Sequence, residues 1–159
     1  MKLQNKPIEY LIKDKYLLSM SLEDWNNSML SSWGKTLYKN IIKVLKAKIE
    51  AYDKSSEINS FIYNNKEYWF DKNTRASLLA LASCSEEPIT LVLGDELVEV
   101  DADKVKKFIS DLEIYASKCY VNTAKHLNSI KDLKTVEDVI NYNYTSGYPN
   151  RLYLTLDLI

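Results

Sequence analysis

This chain has few of the histidine and cysteine side chains that form most zinc sites. Its 159 residues include one histidine, His126, and two cysteines, Cys84 and Cys119. Cys119 and His126 are seven residues apart in an amphipathic segment, so they lie near one face of a helix. Zinc sites need three or four side-chain ligands. We therefore predict no metal site and no cofactor, and we interpret both cysteines as reduced, buried, small apolar residues.

A second group combines an aromatic residue with opposite charges. Trp69, Asp71 and Arg75 stand close together in the sequence, and a carboxylate near an arginine could bind a polar ligand. Asp71 is equally suited to cap a helix and Trp69 to lie in the core, and we adopt this structural interpretation. Glu113 and His126 are thirteen residues apart on one predicted helix, too far for a direct acid–base pair. We predict no catalytic residues and no enzymatic activity.

Tyrosines cluster around the turn sequence TSGYP. Exposed tyrosine rings can stack on sugars or bases, so a carbohydrate-binding module is one alternative function. Tyrosines beside a turn more often anchor that turn to the core. The residues concerned are Tyr142, Tyr144 and Tyr148.

The element that must position these residues is a long helix predicted from Asp101 to Ile130. Apolar and small residues recur there at three- and four-residue spacing, which places one helical face in a core. Shorter helices are predicted from Lys35 to Tyr52, from Asp71 to Cys84 and from Thr135 to Tyr142. Another is predicted to begin at a Ser21 cap and to end at Gly34.

Alternating segments predict the strands. SFIYNNKEYWF predicts a hairpin turning at Asn64 and Asn65, and ITLVLGDELVEV predicts a second hairpin turning at Gly94 and Asp95. In the second hairpin we expect an inward-facing set of Leu91, Leu93, Leu97 and Val98. The last nine residues, RLYLTLDLI, alternate strictly and predict a C-terminal strand with its leucines on one face.

These elements predict an α+β fold, in which two β-hairpins and a C-terminal strand pack on one long helix and a helical N-terminal arm precedes them. Residues 1–56 contain 10 Lys and Arg against 6 Asp and Glu, whereas the remaining residues contain 11 against 16. This asymmetry suggests two parts with different surroundings. We expect a docking or oligomerisation arm at 1–47 and an α+β domain at 48–159.

No apolar stretch is long enough to span a bilayer, and the first residues lack the apolar segment of a signal peptide. Lysines form a stripe along the helix predicted from Lys35. Lysine without arginine and interleaved aromatic residues is a poor nucleic-acid signature, and such a stripe is usually a solvated face. We expect neither membrane binding nor direct sequence-specific nucleic-acid binding.

Several short motifs follow one another in order between about Lys48 and Leu152: KIEAYDKSSEINSF, WFDKNTRASL, LEIYASKCYVNTAKHLNSI and LKTVEDVINYNYTSGYP. In these motifs the chain resembles a domain family of unknown function from bacteriophages and prophages of Bacteroidota, crAss-like phages included. It is also similar to a domain appended to phage tail-fibre assembly and virion proteins. The family has no assigned catalytic residues to transfer.

The resemblance implies a structural or adaptor protein of a tailed-phage virion, at the head–tail junction, a tail fibre or a head fibre. Its partners would be other virion proteins, it would be present in several copies or as a homo-oligomer, and it would be assembled in the bacterial cytoplasm. The alternative is a tail-fibre assembly chaperone that does not remain in the particle. The candidate interaction residues are apolar and belong to the N-terminal arm and the C-terminal strand: Trp25, Met29, Trp33, Leu37, Ile41, Leu45, Leu152, Leu154, Leu156 and Leu158.

Overall fold

A computed structural model describes the backbone of residues 18–27 and 31–155, and the side chains of 18–24 and 41–155. The α+β class is confirmed. The helices are α1 (Leu22–Asn27), α2 (Ser31–Asp53), α3 (Lys72–Cys84), α4 (Ala102–Ser129) and α5 (Val136–Ile140), with a 3-10 turn at Ile130–Asp132. The strands are β1 (Phe61–Tyr63), β2 (Lys66–Tyr68), β3 (Ile89–Leu93) and β4 (Glu96–Val100).

The chain forms two compact units. The first, here called the helical unit, contains the described residues up to 52 together with 123–146. The second, here called the mixed unit, contains 53–122 and the described residues from 147 onward. This division differs from the boundary predicted after residue 47, because residues 123–146 fold with the N-terminal helices.

The helical unit has its own apolar core. One face of α2 contributes Ile41, Leu45 and Ile49, each at most 5% exposed. These side chains pack with a second group from the other end of the chain: Ile130, Val136 and Val139. The residues of the predicted N-terminal arm therefore need a sequence segment about ninety positions away to complete their core.

Two side-chain caps lie side by side in this unit. The Ser21 hydroxyl accepts the backbone N–H of Asp24 (2.9 Å) before α1, and Thr135 and Asp138 form a reciprocal capping box before α5. Hydrogen bonds to the backbone N–H groups of Thr135 and Lys134 lower the pKa of Asp138. Ser21 and Thr135 also form an antiparallel β-bridge. Both predicted caps are confirmed.

Gly34 was expected to end the first helix, and this prediction is wrong. Gly34 lies inside α2, while α1 ends at Asn27. Glycine costs only about 1 kcal/mol relative to alanine in a helix interior. Burial of several large side chains on the same helix outweighs that cost, so packing overrides the local preference.

The mixed unit is built around the first part of α4. Val105, Ile109 and Leu112 of this helix are at most 1% exposed, as is Phe61 of β1. The helix was predicted from Asp101 to Ile130, and its observed range is Ala102–Ser129. The two hairpins, β1–β2 and β3–β4, form separate two-stranded antiparallel sheets in this unit.

Candidate protein-interaction surface

The β3–β4 hairpin is closed by a two-residue loop. Gly94 has a φ of +62°, which glycine adopts without strain, and Leu93 pairs with Glu96 on either side of the loop. The ladder continues through Val92 opposite Leu97. The turn predicted at Gly94 and Asp95 is therefore confirmed.

The two faces of this hairpin differ sharply. Ile89, Leu91 and Leu93 are at most 4% exposed and face the core of the mixed unit. On the opposite side, Val92 is 63% and Leu97 is 71% exposed. We call this side the outer face; its four residues are Thr90, Val92, Leu97 and Glu99.

Leu97 was predicted to face inward, and this prediction is wrong. Because Leu97 pairs with Val92, the two side chains share a face. Val98 pairs with the buried Leu91 and is itself half-buried, so its inward assignment holds. The sequence did contain a signal for the outer face. Thr90 is two residues from Val92, and Glu99 is two residues from Leu97, so each of these apolar residues shares a face with a polar one.

The register also fixes the direction of the backbone groups. In an antiparallel ladder, residues alternate between pairs that bond to each other and pairs whose N–H and C=O groups point away. Closure at Leu93 and Glu96 makes Thr90 and Val92 point outward from β3. Leu97 and Glu99 point outward from β4. Within the described part of the chain, none of these outward groups has a backbone partner outside the hairpin.

The β1–β2 hairpin has a covered edge instead. Ile62 of β1 donates its N–H to the carbonyl of Leu152 (2.9 Å), and its carbonyl accepts the N–H of Leu154 (2.8 Å). The segment around Tyr153 therefore lies parallel to β1 and joins it through a β-bridge. Among residues 151–155 this bridge replaces the continuous strand that the alternation predicts.

The predicted interaction residues divide into three groups. Ile41, Leu45 and Leu154 are buried within their own units, at most 8% exposed, so they are not available to a partner in this structure. Leu152 is half-buried. The remaining side chains lie outside the described residues: Trp25, Met29, Trp33, Leu37, Leu156 and Leu158.

A salt bridge connects the two hairpins of the mixed unit. The Lys66 ammonium donates to the carboxylate of Glu96 (2.9 Å); Lys66 is exposed and Glu96 is half-buried. This hydrogen bond, with the charge of Glu96, raises the pKa of Lys66. Surface pairs of this kind contribute little to stability. Because Glu96 pairs with the buried Leu93, this ion pair lies on the side of β4 opposite the outer face.

Arg75 is the most buried cation among the described residues, at 6% exposure. Its Nε donates to Glu113 (2.6 Å) and its Nη1 donates to the carbonyl of Phe70 (2.7 Å). The guanidinium carbon lies 5.1 Å from the Trp69 ring centre. Asp71 caps α3 by accepting the Thr74 N–H, and this bond lowers the pKa of its carboxyl. The structural interpretation of Asp71 is confirmed.

His126 is also engaged within its own unit. Its Nε2 lies 2.9 Å from the carbonyl oxygen of Ser146, which can only accept, so Nε2 carries a proton. Its Nδ1 lies 2.8 Å from the Tyr142 hydroxyl. Tyr144 packs edge-on against Tyr52, with ring centres 5.9 Å apart. Tyr142 and Tyr144 thus anchor the segment before the turn within the helical unit, as the sequence predicts, and Tyr148 is half-buried.

The two cysteines differ in their surroundings. Cys119 is buried, and burial raises the pKa of its thiol. Cys84 is exposed at the end of α3, so its predicted burial is wrong; the apolar pattern around it belongs to neighbouring positions of the helix. No group of three His, Cys, Asp or Glu residues suited to a metal ion occurs in the described residues.

Within the part of the chain that the structure describes, no helix combines the length and the apolar character needed to cross a bilayer. The outer face and open edges of β3–β4 offer side-chain and backbone groups suited to contact with another polypeptide. Comparisons with protein-family models, with curated proteins and with solved structures found no match to this chain.

Proposed function

We propose that this chain is a non-enzymatic structural or adaptor protein of a tailed-bacteriophage particle, and that the outer face of β3–β4 contacts another particle protein. The proposed contact surface is inferred from one observation. Val92 and Leu97 face each other across the hairpin and are 63% and 71% exposed. A single exposed apolar side chain is common on protein surfaces. Two in register form a small apolar strip.

The surroundings of this strip suit a protein partner. Thr90 and Glu99 flank the pair on the same face, and both are exposed. Protein interfaces commonly combine an apolar centre, where most of the binding energy arises, with a polar rim that excludes water. The outer face has this arrangement at the scale of one hairpin.

The ionisable side chains in the interior support a structural role. Arg75 is held by Glu113 and by a backbone carbonyl. His126 is held by Tyr142 and by the Ser146 carbonyl. Groups that shuttle protons in enzymes face a substrate site, whereas these groups join one element of the chain to another.

The assignment to a phage particle rests on the resemblance described above. Residues within the matching motifs build turns and caps: the Ser60 hydroxyl donates to the carbonyl of Ser56 (2.6 Å), the Asn59 amide donates to the carbonyl of Ser55 (3.2 Å), and Asp138 caps α5. Such residues specify local structure. The resemblance therefore supports a fold shared with the phage family, and the shared fold supports a role in the same kind of particle.

Mass spectrometry of purified particles tests the proposal. In a phage whose genome encodes the chain, we expect the protein at stoichiometric levels. A Leu97→Lys variant should be incorporated about tenfold less, because loss of one interface anchor costs about 1.4 kcal/mol or more.

The matched control is Leu81→Lys, where the leucine is 51% exposed and belongs to α3, not to the hairpin. This variant should be incorporated normally. If the wild-type protein is expressed but absent from particles, the chain is an assembly chaperone instead. If Leu97→Lys is incorporated as well as Leu81→Lys, the contact lies on another surface.

A further inference from the structure

We infer that β3 pairs edge to edge with β3 of a second copy of this chain, joining the two hairpins into one four-stranded antiparallel sheet. The inference goes beyond the proposed function, since it holds whether or not the chain belongs to a phage particle. It rests on the backbone groups at the edge of β3. The proposed particle contact, in contrast, rests on side chains of the outer face.

The first argument is that the β3 edge is open. The outward N–H and C=O groups of Thr90 and Val92 have no partner within the described residues. Side chains at both positions are exposed. Open strand edges readily pair with another chain, and natural proteins usually protect them with charge, proline, a bulge or a covering segment.

The second argument is that β3 carries none of these protections. Its five residues, ITLVL, contain no charge and no proline, and they pair in register with β4 without a bulge. The β1 edge is covered by the segment around Tyr153. The described chain has three strands whose outward groups are open, β2, β3 and β4, and only β3 is uncharged.

Charge distinguishes β3 from the other open edges: β2 contains Lys66 and Glu67. β4 contains Glu96 and Glu99 and stands between Asp95 and Asp101. Pairing β4 with its own copy would gather these carboxylates from both chains along one seam, and like charges close together on paired strands are destabilising. Pairing β3 with its copy brings no charged residues of the strand together, and the nearest charged residues, Glu87 and Asp95, lie outside the ladder beyond Pro88 and Gly94.

Register identifies the second copy as the occupant. With a two-fold axis at Leu91, Thr90 of one chain faces Val92 of the other, so the outward groups form two doubly bonded pairs. Leu91 then faces its own counterpart, and Ile89 faces Leu93 of the second copy. All of these pairs are uncharged. The buried face and the outer face of one hairpin each line up with the same face of the second hairpin. The edge of β3 can therefore pair with the edge of another β3.

The first experiment measures association of the purified full chain by sedimentation equilibrium. We expect a wild-type dimer. Thr90→Lys/Val92→Lys and Thr90→Glu/Val92→Glu variants should each bind themselves at least about tenfold more weakly, because like charges then face each other across the junction. An equimolar mixture of the two variants should restore the dimer, because lysine then faces glutamate.

The matched control places charge on β4, the other strand of the same hairpin. Leu97→Lys changes an equally exposed outer-face residue on β4 and should leave the dimer intact. A wild-type chain that stays monomeric at all concentrations overturns the inference. So does a dimer that neither charged variant weakens, or a mixture of the two that fails to associate.

Hydrogen exchange on the wild-type chain supplies a readout that depends on no variant. The amides of Thr90 and Val92 should become more protected as protein concentration rises, while those of Leu97 and Glu99 should not change. Concentration-dependent protection on β4 in place of β3 would overturn the assignment of the edge. Protection of β3 only after a different protein is added would show that a foreign strand, and not a second copy, occupies it.

Discussion

The two hairpins of the mixed unit share a local design and differ in their edges. Each has a two-residue loop with positive φ, at Asn64 and Asn65 in the first hairpin and at Gly94 in the second. The edge of β1 is covered by the segment around Tyr153, whereas the outward groups of β3 and β4 have no backbone partner among the described residues. The same turn chemistry thus yields one hairpin whose β1 edge is covered and one whose two edges both keep open backbone groups among the described residues.

The side chains repeat this difference. Phe61 of β1 is 0% exposed, and its ring centre lies 5.0 Å from that of Phe108 and 5.1 Å from that of Phe70. Val92 of β3, in contrast, is mostly exposed. We therefore expect substitutions in the first hairpin to affect stability, and substitutions on the outer face of the second to affect association.

The largest effect is expected from Phe61→Ala. Removing this ring leaves a cavity among aromatic side chains, so the free energy of unfolding should fall by about 3–5 kcal/mol. Val92→Ala is the matched change in the second hairpin and should alter it by less than about 0.5 kcal/mol. Urea unfolding of the purified chain measures both. Equal losses at the two positions would contradict the proposed division between the hairpins.

A smaller loss of about 2–4 kcal/mol is expected from Leu154→Ala, which truncates the buried residue of the segment that covers β1. Leu154 is 8% exposed and its neighbour Tyr153 is 71% exposed. Tyr153→Ala therefore serves as the control and should stay near the wild-type value. If Tyr153→Ala is the more damaging change, the segment packs through the opposite side chains.

The smallest effect concerns Lys66 and Glu96, the surface pair between the hairpins. The Glu96 carboxylate raises the pKa of Lys66 above its ordinary value of 10.5. The stabilisation is therefore fully present below the unfolded pKa and is lost as pH rises through the folded pKa. Lys66→Met should be slightly less stable than wild type at neutral pH and low salt.

Two conditions should remove the difference between Lys66→Met and wild type. Strongly alkaline pH deprotonates the wild-type lysine, and high salt screens the pair. Thermal unfolding across pH and ionic strength tests this, with Lys106→Met on the exposed side of α4 as control. A difference that persists in high salt would point to packing of the lysine stem.

Short-range chemistry determined much of the fold from the sequence alone. The caps at Ser21, Asp71 and Thr135 bond to backbone groups three residues away, and the Asn64–Asn65 turn joins adjacent strands. The range of α4 followed from its periodic apolar face. These features depend on neighbours within a few positions, so the sequence specifies them locally.

The candidate surface could be located only from the tertiary structure. Leu97 was assigned to the core because it is apolar, although its register with Val92 places it outside. The docking role predicted for Ile41 and Leu45 required exposed side chains, but Ile130 and Val139 cover them from far along the chain. Which apolar face is covered depends on contacts between distant segments, and local periodicity states only that a face is apolar. The closed edge of β1 and the open edge of β3 were decided at that long-range level.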